Sequence, residues 1–190
     1  MTGRTHDLAA FTALNLVVIL NPIPDISLAT AITSLLACTF GGLAPDLDQP
    51  TANIWHKIPA GSFFGGILSN LLWKHRTISH SILGLVIFGL AAKFALNWLA
   101  TFMTVNTDVI WAAFMIGFVS HLIADTLTRE GVPWLFPLNW YIGIPPLAFL
   151  RIKTAGSLEK YLVFPGLLLF NGYLFWNHYS FFVNFFHRVF

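Results

Sequence analysis

Charge is what this sequence has least of. Charged residues make up 9% of its 190 positions, where a soluble domain carries about 25%, so there is too little charge to coat a water-facing surface. The formal net charge of +2 is too small to point to a nucleic-acid partner. One cysteine, Cys38, excludes an intramolecular disulfide and a thiolate-based zinc site. Internal repeats, low-complexity tracts and linkers are also missing, and the length suits a single domain over residues 1–190. What remains is 56% hydrophobic and 16% aromatic, the composition of a membrane protein.

The apolar runs define the expected fold, an all-α polytopic membrane bundle. Spanning helices are expected at Leu8–Leu20, Ile26–Ala44, Ile78–Met103, Val109–Leu127 and Leu158–Trp176, since about 20 apolar residues cross a hydrocarbon core of about 30 Å. The first run is short and extends upstream through His6. No small-residue cleavage site follows it, so it reads as a retained helix and not a cleaved leader. The glycine-rich stretch Ile58–Trp73 is too short to span comfortably and is expected to be re-entrant or interfacial. The aromatic tail Tyr179–Phe190 reads as interfacial.

Alternating these helices across a bilayer sorts the polar residues. His6, Asp46, Asp48, His75, His80, His121, Asp125 and Glu159 fall on one face, while Asp25 and Asp108 are the acids left on the other. Most basic residues share the first face, which the positive-inside rule places in the cytoplasm; basic residues attracting an anionic substrate would give the same bias.

Several local patterns carry chemistry. His121 and Asp125 are spaced i, i+4, which stacks two candidate metal ligands on one helix face; a buried hydrogen-bonded pair without metal fits equally. Pro45-Asp46-Leu47-Asp48-Gln49-Pro50 brings two carboxylates together, whose repulsion a cation relieves, although Asp beside Pro also suits a plain surface turn. His75-Arg76-Thr77-Ile78-Ser79-His80-Ser81 sets two imidazoles around an arginine whose planar fork matches phosphate oxygens. The alternative there is a helix start capped by Ser79. Glu159 is a ligand candidate or a helix-terminal acid. Four histidines and four carboxylates exceed the needs of one tetrahedral ion, so a two-metal site is the economical reading, with zinc or manganese the best fits to this donor set. His56, His178 and His187 fall outside it.

At Pro45-Asp46-Leu47-Asp48, His75-Arg76…Ser79-His80-Ser81 and Ser120-His121…Asp125…Gly131-Val132-Pro133 the sequence resembles the YdjM family, bacterial inner-membrane proteins described as metal-dependent hydrolases. The likeness runs end to end. It implies metal-ligand roles for His6, Asp46, Asp48, His75, His80, His121, Asp125 and Glu159. Thr77 departs from the pattern, where a glycine is expected after the His–Arg pair. The family is also labelled LexA-binding, and no such surface shows in this sequence.

The expected function is hydrolysis of a phosphate or other ester in a lipid or lipid-linked, amphipathic substrate, with Arg76 and Asp48 catalytic and a divalent metal, two ions in all, activating water. The partners are membrane lipids and that substrate. Alternatives from other classes are a metal or proton transporter and a non-catalytic, metal-stabilised membrane adaptor. In the loop Thr128–Ser157, Arg129, Arg151 and Lys153 are expected to draw an anionic headgroup toward Asp46, His80 and His121, with Trp134 and Phe136 in the interfacial belt.

Overall fold

A computed structural model describes residues 1–23, 25–48, 77–102 and 104–189. The stretch Ile58–Trp73 and the residues His56, His75 and Arg76 lie outside the described residues. Among the described residues the fold is all-helical: α1 (Gly3–Leu20), α2 (Leu28–Leu43), α3 (Ile82–Leu99), α4 (Thr107–Thr126), α5 (Phe164–Asn177) and α6 (Tyr179–Val189). Among the described residues, three segments are long and apolar enough to cross a membrane: Leu28–Asp48, Ile82–Leu99 and Thr107–Thr126.

Helix α4 is the centre of the bundle and packs against α1, α2 and α3, while α5 lies along α1. The close approach of α2 to α4 depends on glycine. A Cβ on Gly41 would strike the Phe114 carbonyl, and one on Gly117 would strike the Cys38 carbonyl. Small residues of this kind bring membrane helices into contact where no hydrophobic force drives them together. A core of Ala44, Leu47, Phe114, Phe118, Leu122 and Val132 follows from that contact. Toward the outside, Leu90, Phe94 and Trp98 on α3 are largely exposed, as suits a lipid-facing surface.

The helix boundaries differ from the apolar runs for identifiable reasons. Helix α1 begins at Gly3, and its buried polar residues are held inside the bundle, Thr5 by donating to Glu159 and His6 by stacking its ring on His121. Helix α3 begins at Ile82, where the Ser81 side chain accepts from the Gly84 N–H at 3.1 Å; Ser79, expected as the cap, is turned elsewhere. Asn106 caps α4 by accepting from the Asp108 and Val109 N–H groups. After α2 the chain tightens into a 3₁₀ turn, Ala44–Asp48. A π-helical turn, Glu159–Val163, leads into α5, accommodating Pro165, which has no N–H for the Tyr161 carbonyl.

Residues 127–156 form a lobe of turns, bridges and one short 3₁₀ helix, Ala148–Leu150, over one end of the bundle. Isolated bridges Thr128–Ile152 and Val132–Ile142 fix its shape, and the Ile82 N–H donates to the Trp134 carbonyl at 3.0 Å. At the opposite end Lys93 pairs with Asp108, and the Asn106 N–H donates to Thr30 Oγ1 at 3.1 Å.

Candidate functional site

Five of the residues singled out above converge at the lobed end. His6 comes from the first turns of α1, Asp46 from the 3₁₀ turn, His80 from the loop before α3, and His121 and Asp125 from the last turns of α4. Alternating helix direction brings these termini together. His6, His80, His121 and Asp125 are almost fully buried, and Asp46, at 26% exposure, is the open edge of the cluster.

The ring orientations follow from what the far nitrogens touch. His121 Nδ1 lies 2.7 Å from the Gly42 carbonyl oxygen. That oxygen can only accept, so Nδ1 carries the proton and Nε2 a lone pair. Ser79 Oγ donates to Asp48 and lies 2.9 Å from His80 Nδ1. With its proton committed to Asp48, Oγ accepts from His80 Nδ1, and His80 Nε2 is likewise left with a lone pair. Outer partners of this type set tautomer and aim in metal-binding histidines.

The two Nε2 atoms lie 3.3 Å apart. Asp46 Oδ1 is 3.6 Å from His80 Nε2 and 3.7 Å from His121 Nε2. Asp125 Oδ2 is 3.8 Å and 3.9 Å from the same atoms. Zinc bonded to nitrogen and oxygen at about 2.0–2.2 Å in a tetrahedron needs donors about 3.3–3.6 Å apart. Among the described residues these atoms belong to two three-donor groups that share His121, one with His80 and Asp125 and one with His6 and Asp46. Lone-pair atoms 3.3–3.9 Å apart repel one another unless a cation or protons lie among them. The donor set fits a divalent ion.

His6 adds to this. Its ring stacks on His121 with centroids 3.7 Å apart, and it forms a second donor group with Asp46 and His121. Its Nε2 is 3.2 Å from Asp125 Oδ1 but off the line of a hydrogen bond, and both its ring nitrogens are buried without a hydrogen-bond partner among the described residues. Asp125 thus faces two ways, Oδ2 toward His80 and His121, Oδ1 toward His6 and the Met1 amine.

The remaining candidates are placed differently. Asp48 stands behind His80, holding Ser79 and lying 4.0 Å from Nδ1, the nitrogen turned away from the cage. Glu159 is outside the donor groups. Its Oε1 accepts from the Thr2 N–H, Thr2 Oγ1 and Thr5 Oγ1 at 2.7–2.8 Å, and its Oε2 from the Ala155 N–H at 2.7 Å, so it ties the start of α1 to the lobe. Arg151 donates to the Pro145 and Pro146 carbonyls and is engaged in shaping the lobe. Trp134 donates to Thr126 Oγ1 at 2.9 Å and closes the lobe over α4. The groups that the residue pattern did not flag are the Gly42 carbonyl, the bridging role of Ser79, and Thr2 and Thr5. The signal for Ser79 was its position beside His80; a backbone carbonyl leaves none.

Comparison with known proteins agrees with the end-to-end likeness. The family model described as YdjM inner membrane protein matches residues 1–184. YvsG of Bacillus subtilis is 28% identical over 169 residues, covering 89% of this chain and 91% of that protein. The inner membrane protein YdjM of Escherichia coli is 31% identical over 139 residues, covering 68% of this chain and 59% of that longer protein, and its Shigella flexneri counterpart matches equally. No solved structure matches. With nearly its whole length matched, this chain belongs to the YdjM family of inner membrane proteins.

Proposed function

We propose that the protein is a metal-dependent hydrolase embedded in the bacterial inner membrane, acting on a phosphate or other ester of a lipid or lipid-linked substrate. One observation carries the reading: the lone pairs of His80 and His121 meet at 3.3 Å between two carboxylates, with both far nitrogens held by other groups. That arrangement suits a divalent cation, zinc or manganese by its donors, and His6 with Asp46 and His121 forms a second donor group. A divalent ion bound there would acidify water and polarise an ester oxygen.

The chain's own groups supply the rest. The Gly42 carbonyl and the Asp48–Ser79 pair aim the two imidazoles, so Asp48 acts as a positioning residue in this reading. Trp134 ties the lobe to the end of α4 beside Asp125, and Asp46 marks the open side of the cluster. Arg76 is the group suited to developing oxyanion charge. Arg4, Arg129, Arg151, Lys153 and Lys160 lie toward the clustered end, whereas Lys93 lies at the other, which supports a multi-pass topology with the site facing the cytoplasm.

Elemental analysis of the purified protein tests this, together with turnover of phosphomonoesters, phosphodiesters and acyl esters presented in mixed micelles. The expected result is stoichiometric metal and hydrolysis of one ester class, both lost in His121→Ala. A folded, metal-free protein, or a metal-loaded one inert on all three classes, would overturn the proposal.

A further inference from the structure

Beside the polar cluster, α1, α4 and α5 enclose an apolar groove of about 560 Å³. Its α1 wall includes Ala9, Ala13 and Leu16. With His6 these are spaced i, i+3, i+7 and i+10, so they continue down the helix face on which His6 stands. On α4 the wall runs from Met115 through Val119 to Leu127, a rise of about 18 Å, more than half of a hydrocarbon core about 30 Å thick. Ser120 and Ala124, neighbours in sequence of His121 and Asp125, also line it, and Met1, whose amine contacts Asp125, stands at its upper end. Val17, Ile123 and Leu127 along its margin are exposed, so the groove opens sideways and not toward the bundle axis.

Shape and chemistry select the occupant. Small side chains, Ala9, Ala13, Ser120 and Ala124, keep the upper part open, and the walls below are hydrocarbon. Among the described residues, no lining side chain carries a formal charge. A lateral opening within the bilayer faces lipid tails, and nothing polar is stable at that depth without partners.

We infer that this groove holds one acyl chain of a membrane lipid, laid along α1 and α4 with its polar end at the His6–Asp125 end of the bundle. The site binds a single hydrocarbon chain and hands the chain-bearing molecule to the cluster headgroup first. That this lipid is the hydrolysed substrate rests on the proposed function; occupancy of the groove does not.

The test is photo-cross-linking in vesicles of phosphatidylethanolamine and phosphatidylglycerol doped with a phosphatidic acid carrying a mid-chain diazirine. Labelled positions are mapped by peptide mass spectrometry. The lipid-facing side of α3, at Leu90, Phe94 and Trp98, serves as the internal reference for casual contact. Labels should concentrate on Leu16, Met115, Val119 and Leu167 above that reference. Ala13→Phe and, from the opposite wall, Val119→Trp should cut groove labelling by about tenfold, because an aromatic ring takes the volume the chain needs, with α3 labelling and metal content unchanged. Groove labelling no higher than that of α3 in the wild-type protein overturns the inference without recourse to any variant. His121→Ala separates the two proposals: groove labelling that survives it, whatever the metal content, supports the chain site on its own.

Discussion

His6 lies flat against His121, their ring centroids 3.7 Å apart and their planes within 9°. The contact joins α1 to α4 beside the carboxylate of Asp125, and it separates two roles for His6, as a ring that packs and as a nitrogen that binds. His6→Phe keeps the ring and deletes the nitrogens. Chelator competition should show metal affinity falling by about 10–100-fold in this variant, the range seen when groups supporting a metal site are lost. The thermal transition in detergent should change little. Wild-type metal affinity in His6→Phe would reduce His6 to packing.

The α2–α4 crossing gives a prediction about folding alone. A Cβ at Gly117 would overlap the Cys38 carbonyl, and backbone cannot rotate out of the way as a side chain can. Gly117→Ala should therefore destabilise the bundle by about 1–3 kcal/mol or more, read as a lowered thermal midpoint and reduced monodisperse yield. Gly166, with nothing near its would-be Cβ, is the control. Gly166→Ala should be neutral or stabilising by about 0.5–1 kcal/mol.

The sequence made the helices and the partition of ionisable groups legible because lipid imposes one rule on every segment. Only backbone-satisfied apolar helices cross, so runs such as Val109–Leu127 stand out, and polar residues are driven to the ends. Helix starts were less legible where polar residues are buried by partners distant in sequence. Thr5 is helical and buried because Glu159, 154 residues away, accepts its hydroxyl proton, and no local pattern encodes that. His121 and Asp125 could be paired from spacing. The aim of the His121 ring could not, since it depends on the Gly42 carbonyl, and every residue has a carbonyl. Asp48 and Glu159 show the same limit: no local pattern encodes that Asp48 accepts from Ser79 or that Glu159 accepts from Thr2, Thr5 and Ala155.

Glu159 itself gives a sharp test. As a carboxylate it accepts four hydrogen bonds. Glu159→Gln keeps the volume but turns one acceptor oxygen into a donor NH₂ facing other donors. The loss should be about 1–3 kcal/mol of stability, visible in denaturation, with metal stoichiometry retained. Metal lost in step with His121→Ala would instead return Glu159 to the ligand set.

Ser79 offers the most discriminating substitution, because two serines two residues apart do different work. Ser81 caps α3, whereas Ser79 bridges Asp48 to His80 Nδ1. Ser81→Ala should cost about 1 kcal/mol of stability through the lost cap and leave metal affinity unchanged. Ser79→Ala should leave α3 capped, but His80 loses the acceptor that fixes its tautomer, and metal affinity should fall by about 10–100-fold. Asp48→Asn acts through the same serine, so the double variant Ser79→Ala/Asp48→Asn should be little worse than Ser79→Ala alone. That coupling is the signature of two residues in one chain of hydrogen bonds. Losses in metal affinity that simply add would show that Asp48 acts on the site independently of Ser79, as a direct ligand does.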